Sequence, residues 1–358
     1  NDGSIRSVQN LKCEVEYAQC GPSGGKHCAF IMKSEMMPMQ VYPQIYCQRI
    51  PLPNNPLKEL NCYIVVSAER NLVVDTGFNR EECKEAFFAG LAQLGVNPAI
   101  TDVVITHRHS DHSGLAGHME KLGARIFTHE KEWKALEWMV GEEGWQAMTT
   151  LALRHGLAEY DITARNHPGY LYRPQPIDNC TLIQEGDSLD CGDYEFKVMM
   201  LSGHTPGHIG LYEEKHGLLF CGDHILAKIT PNITYWDDEQ DSLAQYLDSL
   251  RRVCELPIKQ LFTAHREPVP DYRQRIDVLM AHHATRLKEI LTILNAEPLT
   301  AAQVAARMAW EIRAKSWADF PKAQKWFATG EAAAHLTYLV NQGKAVRIME
   351  DGIALFSV

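Results

Sequence analysis

The segment VVITHRHSDHSGLAGH, residues 103–118, puts an apolar, β-branched run directly ahead of four histidines and an aspartate. Such a run reads as a buried strand. Histidines scattered along a surface helix cost a chain little. A cluster that begins where a dry strand stops aims several side chains at one point, and the chain must build a sheet whose edge can receive them.

Three later apolar runs stop in the same way. KVMMLSG leads to His204, LLFCG to Asp223 and QLFTA to His265. In a sheet with helices packed on it, side chains at strand ends collect along one edge. His107 and His109 lie two apart, so in extended backbone they face the same way. Asp111 and His112 come as the chain turns away and can point at a neighbouring position. One motif can thus feed two adjacent metals, with His204 completing the first, His265 the second, and Asp223 bridging both. Imidazoles with a carboxylate suit Zn²⁺, with Fe or Mn as alternatives. His208 and His224 receive no ligand role. His282 and His283 fall on a C-terminal helix and read as solvated, and Asp237 and Asp238 as a polar loop.

At 358 residues, 45% hydrophobic and 22% charged, the chain has room for one large domain and a smaller one. No apolar run approaches the ~20 residues that span a bilayer, so no membrane contact is expected. NDGSIRSVQNLKCEVEYAQC lacks the basic start and apolar core of a secretory signal. A net charge of −10 argues against a dedicated nucleic-acid binder. The ten cysteines form no C-x-x-C pair, and Cys62 and Cys221 sit inside apolar runs. This pattern points to a reducing, cytoplasmic protein; Cys13, Cys20 and Cys28 find no place in it.

Patterned structure begins near residue 37. Residues 1–36 read as an extension, with Met36, Met37 or Met39 as alternative starts. Strands are expected at 44–50, 60–67, 71–75, 101–106, 124–128, 180–184, 194–201, 208–213, 217–222 and 258–264. A helix at 79–94 would be capped by Asn79 and stopped by Gly95, and another spans 241–255. Between the two strand sets, 129–176 is a helical, aromatic insertion carrying Trp133, Trp138 and Trp145. Beyond 270 come helices at 271–295, from Thr300, and at 331–341, then two strands joined by Asp351-Gly352. Residues 271–358 therefore read as a winged-helix-like module. It holds eleven Lys/Arg against nine Asp/Glu, a balance that does not signal a nucleic-acid face. Packing or homodimer contact is its expected use.

THRHSDH, SGHTPGH, CGDH and TAH, in this order, resemble the metallo-β-lactamase-fold hydrolases, and NLVVDTG resembles that family's early strand and turn, which places Asp75 near the site. The resemblance spans roughly 42–270. It implies an α/β fold, an αββα sandwich with metals at one edge. It also implies that His107, His109 and His204 hold the first metal, that Asp111, His112 and His265 hold the second, and that Asp223 bridges them. The added tail is similar to that of the lactamase-β-2-like branch, which includes thioester hydrolases and an animal endoribonuclease. Asp111 departs from true β-lactamases, His109 stands where flavodiiron proteins carry Glu, and DHILAK lacks the Tyr often found in lactonases.

The resemblance implies a dinuclear zinc hydrolase in which a solvent molecule shared by two cations becomes a hydroxide and attacks a small ester, thioester, lactone or phosphoester. Asp111 and Asp223 are the expected catalytic carboxylates. Tyr170, Tyr172 and Arg173 of the insertion, with Tyr235 and Trp236 beyond Asp223, are candidates for the substrate pocket, against the alternative that they only pack the insertion. The rival readings are an endoribonuclease or phosphodiesterase of the same fold and a mononuclear iron persulfide dioxygenase.

Overall fold

The computed structural model describes residues 37–295, 297–311 and 314–358. The expected extension 1–36, with Met36, Cys13, Cys20 and Cys28, lies outside the described residues. The first sheet runs β1 (Met39–Tyr42), β2 (Ile45–Pro51), β3 (Glu59–Val65), β4 (Asn71–Val74), β5 (Thr101–Val104), β6 (Arg125–Thr128) and β7 (Thr181–Leu182) in spatial order. Its first four strands are antiparallel and β4 to β7 are parallel. The second sheet holds β8 (Ser188–Cys191), β9 (Tyr194–Met200), β10 (Ile209–Glu213), β11 (Leu218–Phe220) and β12 (Gln260–Phe262).

Strand periodicity explains the layers. Leu72 and Val74 face one core, and Val73 between them faces another. In β11, Leu218 and Phe220 join the core shared with β4, while Leu219 turns to the opposite face. The two sheets thus bury their facing sides against each other, around Phe196, Phe220 and Phe262. The outer face of the first sheet is covered by α1 (Glu81–Gln93), through Phe87 and Leu91, and by α3 (Ala116–Lys121). Between these two lies the short α2 (Ser110–Ser113). The insertion forms α4 (Glu130–Val140), α5 (Glu142–Arg154) and α6 (Pro168–Leu171).

The outer face of the second sheet is covered by α7 (Ser242–Glu255) through Leu243, Tyr246 and Leu250. The same core continues into α8 (Tyr272–Leu294), α9 (Ala301–Arg307), α10 (Lys322–Asn341) and the small sheet of β13 (Leu299–Thr300), β14 (Val346–Glu350) and β15 (Ile353–Ser357). The tail therefore shares its hydrophobic core with the sandwich. Asp241 and Asp271 cap α7 and α8, and Thr300 with Gln303 forms a capping box on α9. Asp351 (φ 48°) and Gly352 (φ 80°) make the hairpin turn, both in the left-handed region that a two-residue connection needs.

Three expectations need correction. The first helix is capped at Arg80, because the Asn79 side chain is engaged by His118 at 3.0 Å. The last helix begins at Lys322 rather than 331, since it is buried around much of its circumference and shows no clear apolar stripe. His283 is fully buried, its Nδ1 3.0 Å from His335 Nε2, and His282 is half-buried, because α8 is packed by α7 and α10 on two sides.

Phe220 sits between the sheets, 4.6 Å from the ring of Phe262 and 5.2 Å from that of Tyr63. Phe220→Ala should cost about 3–5 kcal/mol of stability, read by denaturant unfolding.

Candidate metal centre

β9, β11 and β12 run in one direction, by the antiparallel pairs through β10 and the parallel pair β11–β12. Their carboxyl ends lie at one edge, and each releases a loop within a few residues of His204, Asp223 or His265. The first sheet supplies the rest from the end of β5. There Thr106 N donates to the Asp75 carboxylate at 2.9 Å, and the chain then turns into α2 with His109 as its N-cap.

The sequence-predicted donors come together. One group is His107, His109, His204 and Asp223; the other is Asp111, His112 and His265; within each, the donor atoms lie within 4.8 Å of one another. His107 Nε2 and His204 Nε2 each approach His109 Nδ1 to 3.0 Å. Asp111 Oδ2 lies 3.5 Å from His265 Nε2 and 3.9 Å from His112 Nε2. Asp223 faces both groups. Its Oδ2 is 3.6 Å from His112 Nε2 and from His204 Nε2, and its Oδ1 is 3.3 Å from His265 Nε2.

The outer ring nitrogens are already committed. His204 Nδ1 donates to the Asn232 carbonyl and His265 Nδ1 to the Glu59 carbonyl, both at 2.8 Å. His112 Nδ1 meets Asp75 Oδ2 at 2.8 Å, and His107 Nδ1 meets Thr106 Oγ1 at 3.1 Å. In the neutral rings, the inner nitrogens of His204 and His265 therefore carry lone pairs into the site. His112 Nε2, His265 Nε2 and Asp223 Oδ1 are buried without a hydrogen-bond partner among the described residues. A lone pair 3.0 Å from another is repulsive unless a cation or a proton lies between, and His109 Nδ1 makes two such contacts. The separations approach the edge, about 3.3 Å, of a tetrahedron drawn at Zn–N distances of about 2.0–2.1 Å. The donor set, in two neighbouring groups, thus fits divalent metal.

The electrostatics divide the two groups. Burial, with the neighbouring imidazoles, holds His107 and His109 well below the usual imidazole range, and burial pulls His204 down against Asp223. All three are held neutral, the form in which an imidazole can ligate. Burial also opposes charge on His112, but Asp75, Asp223 and Asp111 outweigh it and raise that imidazole well above its ordinary value. Asp223 is pushed up by burial and more strongly down by His265, His112 and His204, so its carboxyl stays ionised.

The pocket candidates separate. Trp236 stands beside the site, its ring 6.2 Å from that of His109, and its Nε1 donates to the His204 carbonyl at 3.2 Å. Tyr170 and Arg173 are engaged with Glu142 and with each other, the guanidinium 4.0 Å from the ring. Tyr172 stacks on Phe78 at 4.4 Å, and Tyr235 is buried with its hydroxyl on Asp238.

Sequence reasoning passed over Glu132, in α4. This fully buried carboxylate accepts from Arg108 N and Nε at 2.8 and 3.1 Å and from Gly207 N at 2.6 Å. It ties the insertion to both histidine loops. The only signal was an acidic residue within an otherwise ordinary amphipathic helix. His208, also left unassigned, is buried and accepts from Asp223 N at 3.2 Å. The half-buried Asn232 gave no signal either, since it acts through its backbone carbonyl.

An αββα sandwich with two histidine–carboxylate groups at one sheet edge defines a metal-dependent hydrolase. The chain belongs to the metallo-beta-lactamase superfamily: residues 58–265 match that family, and residues 287–358 match the metallo-beta-lactamase-like C-terminal domain. It is 32% identical over 203 residues to the acyl-coenzyme A thioesterase MBLAC2 of Gallus gallus, covering 55% of this chain and 67% of that one. The probable metallo-hydrolase YqjP of Bacillus subtilis is 27% identical over 255 residues, 68% and 79% of the two chains. The crystal structure of the metallo-beta-lactamase family protein TTHA1429 from Thermus thermophilus superposes with a TM-score of 0.76 at 30% identity, covering 89% of this chain and 100% of that one. Among the described residues no helix is long and apolar enough to cross a membrane.

Asp75→Ala removes the acceptor of both His112 Nδ1 and Thr106, and should weaken metal binding ~10–100-fold in chelator competition. Glu132→Ala leaves the Arg108 guanidinium buried without its carboxylate and should cost about 3–5 kcal/mol in denaturant unfolding.

Proposed function

We propose that the protein hydrolyses a small thioester or ester with two divalent cations, zinc being the expected pair. Lactones and phosphoesters are the other substrates open to the same chemistry. The observation that carries this reading is the convergence of two donor groups on one shared carboxylate, Asp223. His107, His109 and His204 would hold one cation, and Asp111, His112 and His265 the other. The thioester preference is supported by the name of the MBLAC2 relative, whose matched region includes the greater part of that protein.

Bound there, the cations would supply hydroxide near neutral pH and a Lewis acid for the substrate carbonyl. The chain's own residues do the rest. Asp223 faces both groups, with Oδ2 toward His112 and His204 and Oδ1 toward His265, and would position the attacking solvent between them. Asp111 would hold the second cation from the side facing His265. Trp236, with the Arg108 guanidinium 4.4 Å from its ring, walls the site beside His109. The Arg108 charge is committed to Glu132, so this residue holds the loop rather than drawing in an anion. A reaction of this kind needs no seryl or cysteinyl nucleophile. Among the described cysteines Cys62 and Cys221 are fully buried, and burial pushes the Cys221 thiol up to about 12.

The test is a hydrolysis screen on purified protein of measured metal content, across acyl-coenzyme A and glutathione thioesters, lactones, phosphodiesters and RNA. Two zincs per chain and the highest kcat/KM on a thioester are expected. Salt-sensitive RNA cleavage would replace this reading with a nuclease. One iron per chain with oxygen uptake on glutathione persulfide would replace it with a dioxygenase. Asp223→Asn should retain the fold by circular dichroism, lower kcat by orders of magnitude and loosen metal binding; near-normal turnover contradicts the bridging role.

A further inference from the structure

The loop after β11 holds the site from behind, and the tail holds that loop. His204 is gripped at two atoms by one short stretch of chain: its Nδ1 donates to the Asn232 carbonyl at 2.8 Å, and its own carbonyl accepts from Trp236 Nε1 at 3.2 Å. That stretch is in turn fixed by a single turn of α10. Asn232 Nδ2 donates to Glu331 Oε2 at 3.2 Å and to the Phe327 carbonyl at 3.4 Å. Tyr235 N donates to the Gly330 carbonyl at 3.1 Å. Thr234 presses against Gly330 so closely that a Cβ there would lie 2.0 Å from Thr234 Oγ1 and 3.3 Å from its Cβ. Arg275 of α8 adds bonds to the Leu226 and Ile229 carbonyls at 2.7 and 2.8 Å.

Gly330 is otherwise out of place. It lies inside a helix of 20 residues, close to Ala332, Ala333 and Ala334, and a glycine in a helix interior costs about 0.5–1 kcal/mol relative to alanine. The contact with Thr234 accounts for it. Glu331 is buried, 9% exposed, and directs its Oε2 at the Asn232 amide.

We propose that α10 of the C-terminal segment positions the first metal-binding group, through the seating of the 232–236 loop on Gly330 and Glu331. The tail is then a working part of the metal centre. Asn232, Gly330 and Glu331 are positioning residues; none touches a reacting atom. This rests on the reading that His204 ligates a metal.

The test uses the full chain and compares wild type with G330A, T234A, the G330A/T234A pair, E331Q and E331A. Zinc stoichiometry and affinity are measured by chelator competition, and ligand geometry by the visible spectrum of the cobalt-substituted protein. Thermal unfolding of the metal-stripped proteins reports on folding alone. Alanine at 330 improves helix propensity, so a merely structural role predicts no loss at the metal. The expected result is about a 10-fold or greater loss of affinity at one of two sites in G330A, with an altered cobalt spectrum. T234A should restore both in the double variant, because only the 3.3 Å Cβ approach would remain. E331Q keeps an acceptor for Asn232 and should behave as wild type, whereas E331A should lose affinity at the same site. If G330A does not fold, the E331A and E331Q pair carries the comparison. Wild-type affinity and spectrum in G330A or in E331A, or a loss that T234A does not repair, overturns the proposal. Unchanged binding at both sites in H204A overturns the reading beneath it, and this outcome is distinct from the first.

Discussion

Lone pairs do not crowd together unaided. Three imidazole nitrogens brought together through 3.0 Å contacts on His109, in a buried pocket, form the constraint on which the rest of this molecule depends. Side chains left to themselves would rotate away. They are kept in place because His107, His112, His204 and His265 each have their second nitrogen tied to Thr106, Asp75, Asn232 and Glu59. Fixing the outer nitrogen fixes both the ring and its tautomer. The scaffold's task is to hold those four anchors still.

Each layer contributes an anchor. Asp75 lies at the end of β4, with φ 60°, a left-handed conformation that aspartate tolerates better than most residues. Glu59 belongs to β3, and Asn232 to the loop under α10. The insertion adds Glu132, which clasps the two histidine loops through Arg108 and Gly207. Insertion and tail also meet one another in a small cluster of Ala152, Leu157, Ile162, Ala302 and Trp326. The centre is therefore braced from both sheets and from both appended segments.

The candidate donors could be read in the sequence because histidine and aspartate after a β-branched run are locally conspicuous. The sandwich was legible through the family resemblance that THRHSDH, SGHTPGH, CGDH and TAH carry, while continuous apolar runs such as NLVVD and LLFC mark only strands buried on both faces. What stayed hidden was whatever depends on partners far along the chain. Glu132 looks like any helix acid until Arg108 and Gly207 arrive beside it. Asn232 acts through a carbonyl, which no side-chain pattern encodes. His283 read as solvated because a histidine on a helix does not announce what will cover it, yet α7 and α10 pack against α8 and bury it. Tyr170 and Arg173 had the chemistry of a pocket, but Glu142 competes for both and keeps them together.

The two sheets contribute unequally to the proposed ligands: residues 107–112 follow a strand of the first, and His204, Asp223 and His265 follow strands of the second. Cations held between them would act as a cross-link, closing long chain loops whose ordering otherwise opposes the docking of the halves. Metal supply would then govern how long the folded chain survives as well as whether it turns over. A starved population would part along the seam between the sheets and expose the aromatic lining of Phe196, Phe220 and Phe262 to proteases and to its own kind.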